Sequence, residues 1–192
     1  MTSKKALDAL NRLMSGNAEY LKANVAEGDI SPDLRERLCD EGQEPYAIVV
    51  TCSDSRVVPE DIFMCGLGEL FVIRVAGNVI GQTQAASVLY AIEHLGAPLV
   101  MVLGHTHCGA VGAVLEGHAE DALRPLCDPI KNAIGNVCDP ERASALNAMA
   151  ATEELRRIAS IASMERRGEL LVIPALYRID SGRVELLVED CV

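Results

Sequence analysis

A thiol, a carboxylate and a guanidinium stand at alternating positions in Cys52-Ser53-Asp54-Ser55-Arg56. They follow an apolar run, Tyr46 to Thr51, that reads as a buried strand. In an extended chain residues i, i+2 and i+4 project to one side, so Cys52, Asp54 and Arg56 are expected to converge. A second apolar run, Leu99 to Leu103, ends in Gly104-His105-Thr106-His107-Cys108-Gly109. Ligand sites in open parallel sheets form beyond the carboxyl ends of the strands. If these two strands are neighbours, Cys52, His105 and Cys108 meet in one crevice.

Two thiolates and an imidazole favour Zn²⁺, with Zn–S about 2.3 Å and Zn–N about 2.0–2.1 Å. Three protein ligands leave a fourth position open, as in catalytic rather than structural zinc sites. A structural site would need a fourth donor, and Cys65 and His107 are the nearest in sequence. His107 adjoins Cys108, so its ring is expected to point away. Cys108 also opens a helix, whose N-terminal dipole favours a thiolate. Zn²⁺ with two thiolates is formally neutral, so it lowers the pKa of a bound water less than a three-histidine site does. Asp54 can accept a hydrogen bond from that water. Arg56 can hold Asp54 by a bidentate pair, ionised and off the metal. Without that pair Asp54 is itself a fourth ligand and the site is closed. The plainer alternative for Asp54 and Arg56 is an ordinary structural ion pair.

The elements that must position these residues alternate in type. An amphipathic helix is expected over residues 3–24, weakened at Gly16-Asn17, docked on its own domain or laid across a second subunit. A second helix follows from Pro32 to Cys39, capped by Ser31. After the first strand come a short helix at 59–63, a strand from Leu70 to Val75, and a helix over 82–95 stopped by Gly96-Ala97-Pro98. The strand at Leu99–Leu103 leads to a helix from Gly109 to Leu115. Residues 120–138 read as helix interrupted at Pro125 and Pro129. One long helix spans Glu141 to Arg167. A fourth strand, Leu170 to Ala175, is followed by the turn signal Asp180-Ser181-Gly182 and a last strand, Val184 to Val188, expected to pair antiparallel. The pattern is an α/β fold: a Rossmann-like, mostly parallel sheet of four strands plus a C-terminal antiparallel strand, flanked by helices. It is read as a single domain over residues 1–192 with an N-terminal helical arm at about 3–40.

Composition narrows the function classes. The 192 residues suffice for one domain with a sizeable core, and 49% hydrophobic with 23% charged residues is ordinary for a soluble protein. With no Trp, two Phe and four Tyr, that core must be aliphatic. The net charge of −11 and the lack of any Lys/Arg run argue against nucleic acid. No apolar stretch has the length of a membrane span, and the N-terminus lacks the apolar core of a signal peptide. Seven cysteines without regular spacing read as reduced thiols in a cytoplasmic protein. Cys39, Cys65, Cys127, Cys138 and Cys191 are taken as buried or incidental.

The paired motifs Cys52-Ser53-Asp54-Ser55-Arg56 and His105-Thr106-His107-Cys108-Gly109 resemble the β-carbonic anhydrase signature. Phe71-Val72-Ile73-Arg74-Val75-Ala76-Gly77-Asn78, Gly42-Gln43 and Tyr90-Ala91-Ile92-Glu93-His94-Leu95 are similar to that family as well. The resemblance implies a zinc lyase that reversibly hydrates carbon dioxide to bicarbonate by a zinc-bound hydroxide. It implies Cys52, His105 and Cys108 as zinc ligands, and Asp54 and Arg56 as a gating dyad, with Asp54 as fourth ligand in a closed state. It implies a homodimer or dimer of dimers with the active site at the subunit interface. Gln43, Phe71, Ala76 and Tyr90 match its pocket-lining positions, some lent by the partner subunit. Arg178 departs from the family, standing where an acidic residue is usual. The lack of Trp argues against the bicarbonate regulation that some members carry.

Two alternatives stay open at this point. Carbonyl sulfide or carbon disulfide hydrolysis would use the same zinc chemistry on a similarly small, linear substrate. A non-catalytic zinc-binding structural or sensing protein is the alternative of another class.

Overall fold

In the computed structural model, residues 2–26, 28–118 and 121–187 are described. A five-stranded sheet forms the centre, in the order β2-β1-β3-β4-β5. Its strands are β1 (Ala47–Thr51), β2 (Leu70–Arg74), β3 (Leu99–His105), β4 (Leu171–Tyr177) and β5 (Val184–Leu186). The first four run parallel, and β5 returns antiparallel to β4. The fold is therefore the expected mostly parallel α/β sheet with one antiparallel edge. Val188, expected in the last strand, and Cys191 lie outside the described residues.

Eight α-helices flank the described sheet: α1 (Lys4–Tyr20), α2 (Pro32–Glu41), α3 (Pro59–Ile62), α4 (Gln82–Leu95), α5 (Gly109–Leu115), α6 (Arg124–Ile134), α7 (Pro140–Arg156) and α8 (Ala159–Arg167). Each strand alternates its side chains between two cores. Ala47, Val49, Leu99, Met101 and Leu103 pack towards Ala9 and Leu13 of α1 and Ile62 of α3. Ile48, Val50, Val100 and Val102 pack towards Val88 and Ile92 of α4, Leu155 of α7 and Ile161 of α8. Burial on both faces explains why β1 and β3 read as unbroken apolar runs.

The N-terminal helix does not break at Gly16-Asn17. Gly16 serves close packing instead: a Cβ there would stand 2.0 Å from the carbonyl oxygen of Phe63. Asn17 is buried and ties three segments together. Its Nδ2 donates to Ile62 O at 3.3 Å and to Gly182 O at 2.9 Å, and its Oδ1 accepts from Val184 N at 2.9 Å. A polar residue that looks like a helix weakness is thus the clasp between α1, α3 and the β4–β5 hairpin.

Two other expectations are corrected. The stretch from Glu141 to Arg167 is two helices, parted at Arg157-Ile158. Arg156 closes α7 by donating to Val172 O at 2.7 Å and to Glu165 at 3.1 Å, and Glu165 accepts from Val172 N at 3.0 Å. The chain must turn here so that Leu155 and Ile161 both reach the core. Pro125 marks a helix start, while Pro129 lies inside α6 without ending it.

Asn17→Ala is expected to destabilise the fold by roughly 2–4 kcal/mol, because it strands a buried N–H and two carbonyls. Urea unfolding at fixed protein concentration measures this; a loss too small to resolve would show that the clasp is dispensable.

Candidate metal centre

The two strand ends that carry the chemistry are neighbours. β1 pairs with β3 so that Thr51 lies opposite Leu103, and the Thr51 hydroxyl donates to Leu103 O at 2.8 Å. The sheet order reverses here: β2 lies to one side of β1, and β3 and β4 to the other. A crevice opens at such a reversal, beyond the carboxyl ends of the strands. Cys52 enters it one residue past β1, and His105 is the last residue of β3. Cys108 is the N-cap of α5, as expected of a thiol that opens a helix.

Cys52 Sγ, a His105 ring nitrogen and Cys108 Sγ all lie within 4.8 Å of one another, and all three residues are buried. The two sulfurs are 4.0 Å apart. An ion held tetrahedrally by two thiolates needs a separation of about 3.8 Å, from Zn–S near 2.3 Å. His105 donates from Nδ1 to Thr106 O at 2.9 Å, which leaves Nε2 as the free lone pair. Nε2 is buried without a hydrogen-bond partner. A buried ring nitrogen unpaired beside two thiols is a donor set short of its cation. The residues fit Zn²⁺.

The thiols release their protons unequally. Cys108 donates to the Cys52 sulfur and the Gly77 N–H donates to it as well, so the first proton leaves the pair readily. The Cys52 thiolate and burial then hold the Cys108 proton well above its ordinary range. A bound dication removes it outright. Cys52 and Cys108 belong to one buried apolar cluster with Val79, Val111, Ile130 and Ala143.

Asp54 and Arg56 do come together, but not by extended alternation. The chain turns at Asp54, with Val57 N donating to Asp54 O at 3.0 Å. The turn lets Arg56 grip the carboxylate with both prongs, Nε to Oδ1 at 2.9 Å and Nη2 to Oδ2 at 2.7 Å, and its backbone N–H adds a third bond at 3.0 Å. This grip holds the Asp54 carboxyl well below the usual carboxylate range, against the opposing effect of burial. Asp54 thus faces Arg56 as an ionised carboxylate. Arg56 also donates to His107 O at 3.1 Å, joining the loop after β1 to the loop after β3.

The remaining expected residues are dispersed. Ala76 sits in the turn after β2, next to Gly77, whose N–H donates to Cys52 Sγ at 3.3 Å. Gln43 is exposed in the loop before β1, at the opposite end of that strand from Cys52. Phe71 lies near the start of β2, and its ring is 6.2 Å from that of the half-exposed Tyr90 on α4. Within one chain, these three do not line the crevice. His107 is exposed, with a left-handed backbone at φ 57 that turns it from the donor set. Cys65 is buried elsewhere, 3.0 Å from the Tyr46 hydroxyl. Neither could serve as a fourth protein donor. A cleft of about 370 Å³ beside Cys108 is lined by His107, Val111 and Glu116 among others. Two larger clefts, of about 570 and 560 Å³, touch none of the three donors.

The sequence reading missed two supports. Arg74, expected within the strand from Leu70 to Val75, donates to Cys52 O at 3.1 Å and Asp54 O at 2.7 Å. A lone Arg ending an otherwise apolar strand was the available signal. Asn147, on α7, donates to Gly77 O at 2.7 Å. Arg178 pairs with Glu141 of α7 at 2.5 Å and Glu185 of β5 at 2.9 Å, so its acidic partners come from neighbouring elements.

Fold and donor set together define a Rossmann-like α/β metalloprotein. A family model described as carbonic anhydrase matches residues 47–184. Carbonic anhydrase 2 of Mycobacterium tuberculosis is 31% identical over 199 residues, covering 97% of this chain and 95% of that protein. The carbonic anhydrase of Mycolicibacterium smegmatis is 33% identical over 199 residues, with the same shares covered, 97% and 95%. The crystal structure of the β-carbonic anhydrase CafA of Aspergillus fumigatus matches with a TM-score of 0.73 at 28% identity, over 81% of each chain. This chain belongs to the β-carbonic anhydrase family, whose members are zinc lyases.

Because the folded-state pKa of Asp54 is depressed, its pairing contributes stability above the pKa of the unfolded carboxyl, near 3.9. That contribution is lost as pH falls through the folded value. Arg56→Met removes the largest of the lowering effects and leaves the backbone N–H of residue 56 against burial, so the Asp54 carboxyl is expected to titrate at higher pH than in the wild-type chain. Carboxyl carbon NMR across acidic pH reads this directly. An Asp54 that titrates in the variant as it does in the wild-type chain would show that the Arg56 side chain is not what holds it.

Proposed function

We propose that this chain catalyses the zinc-dependent, reversible hydration of carbon dioxide to bicarbonate. The observation that carries the reading is the unpartnered His105 Nε2 among two buried thiols, beside a carboxylate that Arg56 holds ionised. Cys52, His105 and Cys108 would hold the zinc ion. The ion supplies Lewis acidity, making a nucleophile from water without strong base.

The protein's own residues do the rest. Arg56 holds Asp54 by both its oxygens, which would keep the carboxylate off a bound ion and leave room there for solvent. Asp54 keeps lone pairs to accept a hydrogen bond from the attacking water, and so orients it. Val79, Val111 and Ile130 give the crevice an apolar wall suited to a small, uncharged, linear molecule. Arg74 holds the carbonyls of Cys52 and Asp54, so one support sets both the donor and the carboxylate.

The working unit is read as a homodimer, or a dimer of dimers. Gln43, Phe71 and Tyr90 lie away from the crevice of their own chain, where they would be placed to serve the crevice of another copy. β2 is also an edge strand, with Phe71 and Ile73 only partly covered. We place the protein in the cytoplasm, where a donor set built on free thiols stays reduced; the six described cysteines are free.

Stopped-flow CO₂ hydration tests the function. Turnover is expected to rise toward alkaline pH, because zinc with two thiolates is formally neutral and lowers the pKa of water only modestly. Cys52→Ala should lose bound zinc, measured by mass spectrometry of metals. Asp54→Ala should keep zinc and lose about 100-fold or more in kcat. Zinc-loaded protein that turns over carbonyl sulfide but not CO₂ would overturn the substrate, and one that turns over neither would overturn the enzyme.

A further inference from the structure

The turn after β2 is held with more care than a connection requires. It spans Ala76–Asn78, with Gly77 in the left-handed region at φ 70. A Cβ on Gly77 would stand 2.7 Å from Ile130 Cδ1 and 3.2 Å from Ala110 Cβ, so α6 and α5 press on it from two sides. A third element reaches it with a hydrogen bond: Asn147, 2% exposed on α7, donates from Nδ2 to Gly77 O at 2.7 Å. The result is that the Gly77 N–H points at Cys52 Sγ, at 3.3 Å.

We infer that Asn147 is a positioning residue for the metal centre, acting through the Gly77 N–H on the Cys52 sulfur. This rests on the zinc reading given above. An N–H aimed at a thiolate draws negative charge from the sulfur and weakens its donation to a bound cation. The effect matters in a site with two thiolates, where strong donation from both would quench the Lewis acidity of the ion. Asn147 holds the peptide that moderates one of them. A Gly77 N–H turned away from Cys52 would lose that bond, because hydrogen bonds weaken steeply once the angle falls below about 120°. Asn147 is separated from Gly77 by 70 residues, so the link exists only in the folded chain.

The test uses the full chain loaded with Co²⁺, whose thiolate-to-metal charge-transfer band reports the donor strength of sulfur. Asn147→Leu keeps the branched shape and the number of heavy atoms and removes the donor. Its band is expected to move to longer wavelength, and its zinc affinity, measured by chelator competition, to rise roughly 10-fold, because the freed sulfur donates more strongly. Thr152→Val is the control: Thr152 is buried on the same helix and donates to Ala148 O at 2.9 Å, without touching the turn. It should lower Tm and leave band and affinity unchanged. Asn147→Ala gives the same readout if the leucine variant does not fold. A band and affinity equal to wild type in the Asn147 variants would overturn the role of Asn147 alone. Failure of the wild-type chain to take up cobalt or zinc would overturn the metal reading, and this inference with it.

Discussion

The parallel pairing of β1 with β3 is the constraint on which the site depends. Thr51 lies opposite Leu103, so Cys52 leaves its strand beside the end of β3, where His105 is still in the ladder. A slip of one residue would turn every side chain of β1 to the other face. Both faces are aliphatic, and hydrophobic burial alone would penalise such a slip less than in a one-sided sheet. The Thr51 hydroxyl supplies an asymmetry: it is buried, and it is satisfied by Leu103 O across the pair. In a slipped register that hydroxyl would face an apolar core without its partner, at a cost of about 1–3 kcal/mol.

Around that pairing, charge is arranged to suit a dication. The buried donors are two thiols and one imidazole, with no lysine or arginine among them. The nearest cations, Arg56 and Arg74, are spent on fixed partners. Arg56 binds Asp54 and the His107 carbonyl; Arg74 binds the carbonyls of Cys52 and Asp54. Each guanidinium therefore spans two pieces of backbone or side chain that must keep their spacing for the site to exist. Planar, multidentate donors suit this work better than the point charge of a lysine.

Much of the fold was legible because local and tertiary signals agree. The helix from Gln82 to Leu95 has its stop signal in Gly96, whose left-handed backbone closes it, and Ser31 caps α2 as its type suggests. Misreadings arose where a local weakness was answered by tertiary packing. Gly16 and Asn17 lower helix propensity, yet Gly16 admits the Phe63 carbonyl and Asn17 bonds to three distant groups. Alanine-rich, charged sequence from Glu141 to Arg167 carries no breaker, and the division at Ile158 is imposed by Arg156 reaching β4. Propensity sees neither partner.

The site shows the same division at finer scale. Cys52, His105 and Cys108 were legible because residue type and strand-end position together imply a donor set. The convergence of Asp54 and Arg56 was anticipated on the wrong geometry: a turn brings them together, and an extended strand would have pointed them alike without making Arg56 fold back on Oδ1 and Oδ2. The supports from Arg74 and Asn147 end on backbone carbonyls, and a carbonyl has no residue type to recognise in a sequence. Such partners are set only when strands and helices take their places. That is why the donors of this site can be named from one chain of letters, while the geometry that makes them act together belongs to the fold.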